Sequence, residues 1–286
     1  MMTKDNIAKE NEGQRLFMQS LLTGADFLQI MPKVVQIAKE AAKIVKTIYD
    51  SKEYQVEEKS DKSPLTTADL EANNCILNRL KKEFSYPILS EEIKVSYAER
   101  SKWNTFWIVD PLDGTKDFVY RTGDFTVNIG LIENQIPVLG VIAVPGKDLV
   151  YYAARDCGAF KESISPSLVK QTAIRNTRTN VDNLIAVVSR FHVDSRTQEF
   201  LDKNNIKQVV QAGSALKFGL VAEGLADVYP RLFPNNEWDT AAGECIVREA
   251  GCKMFDSLSK EPMLYNKPSV LNEGFIVVRN NLRLNE

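Results

Sequence analysis

Trp107-Ile108-Val109-Asp110-Pro111-Leu112-Asp113-Gly114-Thr115-Lys116-Asp117 joins an apolar, strand-like run to a Pro/Gly turn that holds two aspartates three positions apart. A strand that ends in such a turn delivers its last side chains to a rim, where ligands bind in open α/β sheets. Two carboxylates this close repel one another unless a cation sits between them. A hard divalent ion meets that need, and magnesium takes oxygen ligands while keeping several waters. The Leu112 carbonyl lies between the two aspartates as a further oxygen donor. Gly114 lets the backbone approach a ligand closely, and the amides of Gly114 and Thr115 suit phosphate oxygens.

Outward from this turn the chain alternates strand and helix signals. Pro87-Ile88-Leu89 leads into Ser90-Glu91-Glu92, so a second acidic group follows a short apolar strand. Residues 125–132 and 137–144 are β-rich, and Glu133-Asn134-Gln135 between them suits a hairpin. Toward the N-terminus, Val34, Ile37, Ala38, Ala41, Val45 and Ile48 recur at helical spacing and predict a helix over 31–49. Thr66 and Asp69 have the spacing of a capping box at the start of a helix that runs through Ile76, Leu77, Leu80 and Phe84. Toward the C-terminus, a strand over 184–188, helices over 214–222 and 240–250, and strands near 226–229 and 275–278 make an alternating α/β half. Gly251 ends the second helix.

The division expected is an N-terminal extension over 1–30, an α+β lobe over 31–170 carrying most of the metal ligands, and a C-terminal α/β lobe over 171–286 carrying substrate residues and Asp239. The polar stretch over 162–183, with its Ser-Pro-Ser, marks the boundary between lobes. The extension is moderately apolar and suits a core cover, a subunit interface or contact with a membrane surface.

Bulk properties narrow the chemistry. Hydrophobic residues are 44% and charged residues 26% of the chain, the proportions of a globular protein with a sizeable core. The 36 basic and 38 acidic residues leave a net charge of −2, which gives no footprint for a nucleic-acid polymer. The four cysteines form no Cys-x-x-Cys pair and read as free thiols of a reducing compartment. No signal peptide and no long apolar span are present in the sequence, so the cytoplasm is the default expectation.

Other phosphate chemistries leave marks that this sequence lacks. No cysteine is followed six positions later by arginine, and no Asp-x-Asp occurs. There is no Gly-x-x-x-x-Gly-Lys-Ser/Thr and no Gly-x-Gly-x-x-Gly. With the single histidine His192, a histidine-rich zinc site is excluded. Water activated by a metal is what remains. Taken one at a time the acidic signals are bland. Asp239, after Trp238 at a helix start, is the place for a cap; Asp-x-x-Asp-Gly also occurs in calcium-type loops and plain turns; a Glu-Glu pair is usually a solvated surface. Their combination is what carries information.

In that combination the chain resembles the inositol monophosphatase superfamily, whose members share Asp-Pro-(Leu/Ile)-Asp-Gly-Thr, an upstream Glu-Glu and a downstream Trp-Asp. Here these are residues 110–115, Glu91-Glu92 and Trp238-Asp239. Within it the chain is similar to the CysQ-type branch, the bacterial 3′(2′),5′-bisphosphate nucleotidases. The stretches that carry this are Phe125-Thr126-Val127-Asn128-Ile129, Ser189-Arg190-Phe191-His192, Gly213-Ser214-Ala215-Leu216-Lys217-Phe218 and Tyr229-Pro230-Arg231, with Phe191 where relatives often have serine.

The resemblance implies a layered α-β-α-β-α sugar-phosphatase-like fold of two lobes, with the site between them. It implies that Glu91, Asp110, Asp113, Asp239 and the Leu112 carbonyl hold two or three Mg2+ ions. Glu91, and Thr115 paired with Asp69, would orient and deprotonate the attacking water. Gly114, Thr115, His192, Ser214, Lys217, Arg231 and Asp239 would hold the substrate, Lys217 and Arg231 giving charge to the phosphate that is kept. The implied reaction converts adenosine 3′,5′-bisphosphate and water to AMP and phosphate, with the sulfated parent nucleotide as a second substrate. A role in sulfur assimilation, lithium inhibition, and a monomeric or homodimeric state follow from the same resemblance. The competing readings are an inositol monophosphatase with a smaller, less basic pocket, and a catalytically inactive nucleotide or metal sensor.

Overall fold

The computed structural model describes residues 21–51, 56–58, 64–165, 170–191 and 194–285. His192 and most of the stretch read as an N-terminal extension lie outside the described residues.

Helix α1 (Gly24–Ser51) starts earlier than the 31 expected from periodicity. Asp26, Gln29 and Pro32 mask the pattern in sequence, but Phe27, Met31, Val34 and Ile37 still fall on one buried face. Asp26 fixes the start by accepting the Thr23 backbone N–H at 2.8 Å. The ribbon β1 (Val56–Glu58) and β2 (Pro64–Thr66) leads into α2 (Thr67–Glu83). The expected capping box is present: Asp69 Oδ2 accepts the Thr66 N–H at 2.8 Å and the Thr66 hydroxyl at 2.6 Å.

A seven-stranded sheet follows, in chain order: β3 (Ile88–Ser90), β4 (Thr105–Asp113), β5 (Thr126–Glu133), β6 (Ile136–Val144), β7 (Leu149–Ala154), β8 (Gly158–Ser163) and β9 (Thr172–Ile174). Short helices α3 (Tyr97–Arg100) and α4 (Thr115–Val119) flank β4. Strands β3 and β4 are parallel and the rest antiparallel. The β5–β6 hairpin is closed by Asn134 and Gln135, both at positive φ (50° and 66°), the conformation that matches strand twist in a two-residue turn. The sheet runs through β9, just beyond the boundary expected at 170/171.

The second sheet has the order β11-β10-β12-β16-β14. Its elements are β10 (Ile185–Ser189), α5 (Ser195–Lys203), β11 (Gln208–Ala212), α6 (Leu216–Ala222), β12 (Val228–Arg231), α7 (Glu237–Glu249), β14 (Cys252–Asp256) and β16 (Phe275–Arg279), with a small ribbon of β13 (Asn235–Asn236) and β15 (Leu271–Asn272). Helix α6 begins at Leu216 rather than at 214, because Ser214 is left-handed, with φ 54°. Gly251, at φ 83°, stops α7 as expected.

Side-chain alternation along β4 explains the layering. Trp107 and Val109 pack with α1 and α2 on one face; Phe106 and Ile108 pack with α6 and α7 on the other. The second sheet covers those helices from the far side through Tyr229, Phe275 and Val277. Leu201 of α5 closes the outermost layer over Val188, Val228 and Ile276. The result is the α-β-α-β-α stack, with α7 between the sheets. Its approach is close: a Cβ added at Gly140 of β6 would lie 2.2 Å from the Ala242 carbonyl oxygen of α7. The four cysteines are free, Cys245 and Cys252 buried and Cys75 and Cys157 half-buried. No described helix is long and apolar enough to cross a membrane.

Candidate active site

Asp110 and Asp113 are brought to one rim by a break in the β4–β5 ladder. Asp110 pairs with Asn128 and Asp113 with Thr126, so β4 uses one residue more than β5 between those rungs. Pro111 has no N–H to contribute there, and the Leu112 N–H turns to Asp110 Oδ1 at 3.0 Å. In a flat strand, residues three apart face opposite sides; the bulge puts both carboxylates on the same side.

Asp239 arrives from the N-terminus of α7. Its Oδ2 accepts the Asn236 N–H at 2.9 Å, so the cap reading of this residue is correct for one oxygen. The same side chain still offers a carboxylate oxygen within 4.8 Å of one from Asp110 and one from Asp113. Glu91 comes from the parallel neighbour of β4: Ser90 pairs with Val109, and the Glu91 N–H continues to the Val109 carbonyl at 3.1 Å. The Glu91 side chain hydrogen-bonds to Asp110. Four separated positions therefore converge.

Without a cation this cluster is electrostatically unfavourable. Burial, then Glu91, Asp113 and Asp239, push the Asp110 carboxyl well above the usual carboxylate range. Burial and Asp113 push Asp239 up to about 8, against the opposing pull of the Asn236 N–H. Every donor is oxygen, which suits a hard divalent ion. The buried amide of Asn128, directly across the ladder from Asp110, makes no hydrogen bond from either side-chain atom among the described residues. An all-oxygen, mutually repelling donor set beside an orphaned polar group fits a bound metal.

Gly114 has φ 83°, and a Cβ there would lie 3.0 Å from that of Ser214, so glycine is needed at this corner. The Thr115 hydroxyl points to the Leu112 carbonyl at 3.5 Å. Asp69 Oδ2 is held by its capping bonds from the Thr66 N–H and hydroxyl. Ser214, expected to hold substrate, spends its hydroxyl on Asp113: Oγ donates to Asp113 Oδ2 at 2.6 Å and lies 2.5 Å from Thr126 Oγ1.

A pocket of about 190 Å³ opens beside the cluster, bordered by Asp113, Thr115, Ser214, Lys217, Arg231 and Asp239. Lys217 is 1% exposed, a rare state for lysine, and donates to the Ser214 carbonyl at 2.6 Å. Burial lowers its ammonium to about 8; Asp113 counters this and Arg231 adds to it. Arg231 stacks over Phe233 at 3.9 Å, and its buried Nε has no hydrogen-bond partner among the described residues. Asn235, which also borders the pocket and whose Nδ2 has no partner among the described residues, was not singled out in the sequence. Its only signal was its place just before the Trp-Asp helix start.

Residues 28–284 match the sequence profile of the inositol monophosphatase family. The chain is 40% identical over 251 residues to the 3′(2′),5′-bisphosphate nucleotidase CysQ of Escherichia coli K12, covering 87% of this chain and 99% of that protein. It is 41% identical over 250 residues to the CysQ nucleotidase of Salmonella typhimurium LT2, with the same coverage. The crystal structure of CysQ from Bacteroides thetaiotaomicron, described as a bacterial member of the inositol monophosphatase family, superposes with a TM-score of 0.78 at 40% identity, covering 90% of this chain and 99% of that one.

Proposed function

The chain belongs to the inositol monophosphatase family, and from that premise we propose that it is a Mg2+-dependent 3′(2′),5′-bisphosphate nucleotidase of the CysQ type. It hydrolyses adenosine 3′,5′-bisphosphate to AMP and phosphate, and it acts also on the sulfated parent nucleotide. The observation that carries the substrate class is the cationic wall of Lys217 and Arg231 beside Asp113 and Asp239 in one pocket. A monophosphate substrate needs no second positive wall; a bisphosphate does.

Glu91, Asp110, Asp113, Asp239 and the Leu112 carbonyl would hold two or three Mg2+ ions. Bound there, they supply positive charge to the phosphate and make water a better nucleophile at neutral pH. The chain's own residues do the rest. Gly114 and Thr115 offer backbone amides to the phosphate that leaves. Thr115, leaning on Asp69, and Glu91 orient the attacking water and take its proton. The water oxygen joins phosphorus as the ester bond to the ribose oxygen breaks, and that oxygen gains a proton. Lys217 and Arg231 keep the 5′-phosphate in place. Of two units divided near residue 170, the first would contribute most of the metal ligands, and the second the cationic wall together with Asp239.

The test is phosphate release from adenosine 3′,5′-bisphosphate and from inositol 1-phosphate, with and without Mg2+. The bisphosphate should be the better substrate by kcat/KM and the reaction should stop with chelator. Faster turnover of inositol phosphate would assign the chain to the other branch of the family.

A further inference from the structure

Arg190 and Asp124 carry no catalytic or binding role, yet the exposed Arg190 reaches down to pair with the buried Asp124. Asp124 is 2% exposed and collects three donors from three segments. Its Oδ2 accepts Arg190 Nη2 at 2.5 Å, from the end of β10, and the Gly213 N–H at 3.0 Å, from the loop between β11 and α6. Its Oδ1 faces Lys147 Nζ at 3.0 Å. The turn carrying Lys147 sits flush on the loop before Asp124: a Cβ at Gly146 would lie 2.4 Å from the Gly123 carbonyl oxygen. Burial alone would raise the Asp124 carboxyl, but Arg190, Lys147 and the Gly213 N–H outweigh it and hold it below its ordinary range.

Gly213 is the residue before Ser214, whose backbone is left-handed (φ 54°), a strained state for a serine. Such a conformation persists only where its surroundings over-determine it. Here the Gly213 amide is clasped by Asp124, and its α-carbon rests on Asp117, whose carboxylate lies 2.3 Å from where a Cβ would stand. Past the corner, the Ser214 hydroxyl reaches Asp113 Oδ2.

We propose that Asp124, clasping Arg190 and the Gly213 amide, is a positioning residue that holds the Ser214 corner where its hydroxyl orients Asp113 for the metal. The proposal rests on the reading of Asp113 as a metal ligand. Asp124 touches neither substrate nor metal; it acts through Gly213 and Ser214. Arg190 is thereby a partner of the corner rather than a phosphate contact.

The experiment is calorimetric titration of the full-length protein with Mg2+ alone, for the wild type, Asp124→Asn, Ser214→Ala and the double variant, with thermal denaturation of each in chelator. Loss of an outer hydrogen-bond partner of a metal ligand typically weakens metal binding about 10–100-fold, and each single variant should weaken Mg2+ about ten-fold. Because they act along one chain of contacts, the double variant should bind no more weakly than the worse single variant. Multiplying effects, or wild-type affinity in Asp124→Asn, would overturn the proposal. If Asp124→Asn does not fold, Arg190→Lys in the same cycle with Ser214→Ala carries the test. Asp113→Asn serves as the reference: undiminished Mg2+ binding in that variant would sink the metal reading and this role with it.

Discussion

At the scale of single residues, Asp239 shows how one side chain answers two questions. One carboxylate oxygen caps α7 and the side chain still reaches Asp110 and Asp113. Asp110→Asn should therefore lose at least about a hundred-fold in turnover at fixed Mg2+, since it removes a charge from the centre of the donor set. A loss under ten-fold in a steady-state assay would count against that placement. Lys217 gives a pH signature. Its ammonium, lowered to about 8 by burial, is charged below that pH and neutral above it. In saturating Mg2+, kcat/KM for the bisphosphate should fall as pH rises through about 8, and Lys217→Met should lack that alkaline limb while showing a raised KM. The aspartates were legible in sequence because their motifs are local, whereas Lys217 was singled out through the family resemblance and its burial carried no sequence signal. The Asp124–Arg190–Gly213 clasp was not, since its members lie 66 and 89 positions apart and only the fold brings them together.

At the scale of elements, the site depends on a bulge and a close helix–sheet approach. The strand–turn reading of residues 107–117 predicted β4 and its rim, and the hairpin at Asn134 and Gln135 followed from turn chemistry. The start of α1 was hidden because polar residues interrupt the pattern that tertiary burial of Phe27 overrides. The left-handed turn at Ser214 was hidden because a serine carries no signal for it. Gly140 is where α7 touches the first sheet, and Asp239 rides on that helix. Gly140→Ala would force backbone apart and should destabilise the protein by about 3 kcal/mol, the upper part of the overpacking range, in urea denaturation. It should also weaken Mg2+ binding, as α7 retreats from Asp110 and Asp113.

At the scale of the whole molecule, two sheets enclose α6 and α7, and the acidic cluster sits where both sheets and α7 meet. The metal-free protein carries this cluster at a cost that depends on pH. Asp239 titrates at about 8 when folded against 3.8 as a free side chain, so protonation favours the folded state. Its contribution is fully present below about pH 4 and is lost as pH rises through about 8. Mg2+ binds the ionised form and acts in the opposite direction. The gap in Tm between Mg2+-loaded and chelator-treated protein should therefore widen from about pH 6 to about pH 8; a constant gap in differential scanning calorimetry would contradict this. The five-layer stack was expected from the family resemblance, while the alternation along β4 explains why it forms.

The most direct measurement is an anomalous difference map from crystals grown with Mn2+ in place of Mg2+. The account predicts peaks within coordination distance of Glu91, Asp110, Asp113 and Asp239, including one shared by Asp110 and Asp113. A map with manganese elsewhere, or with none beside these side chains at saturating metal, would contradict it.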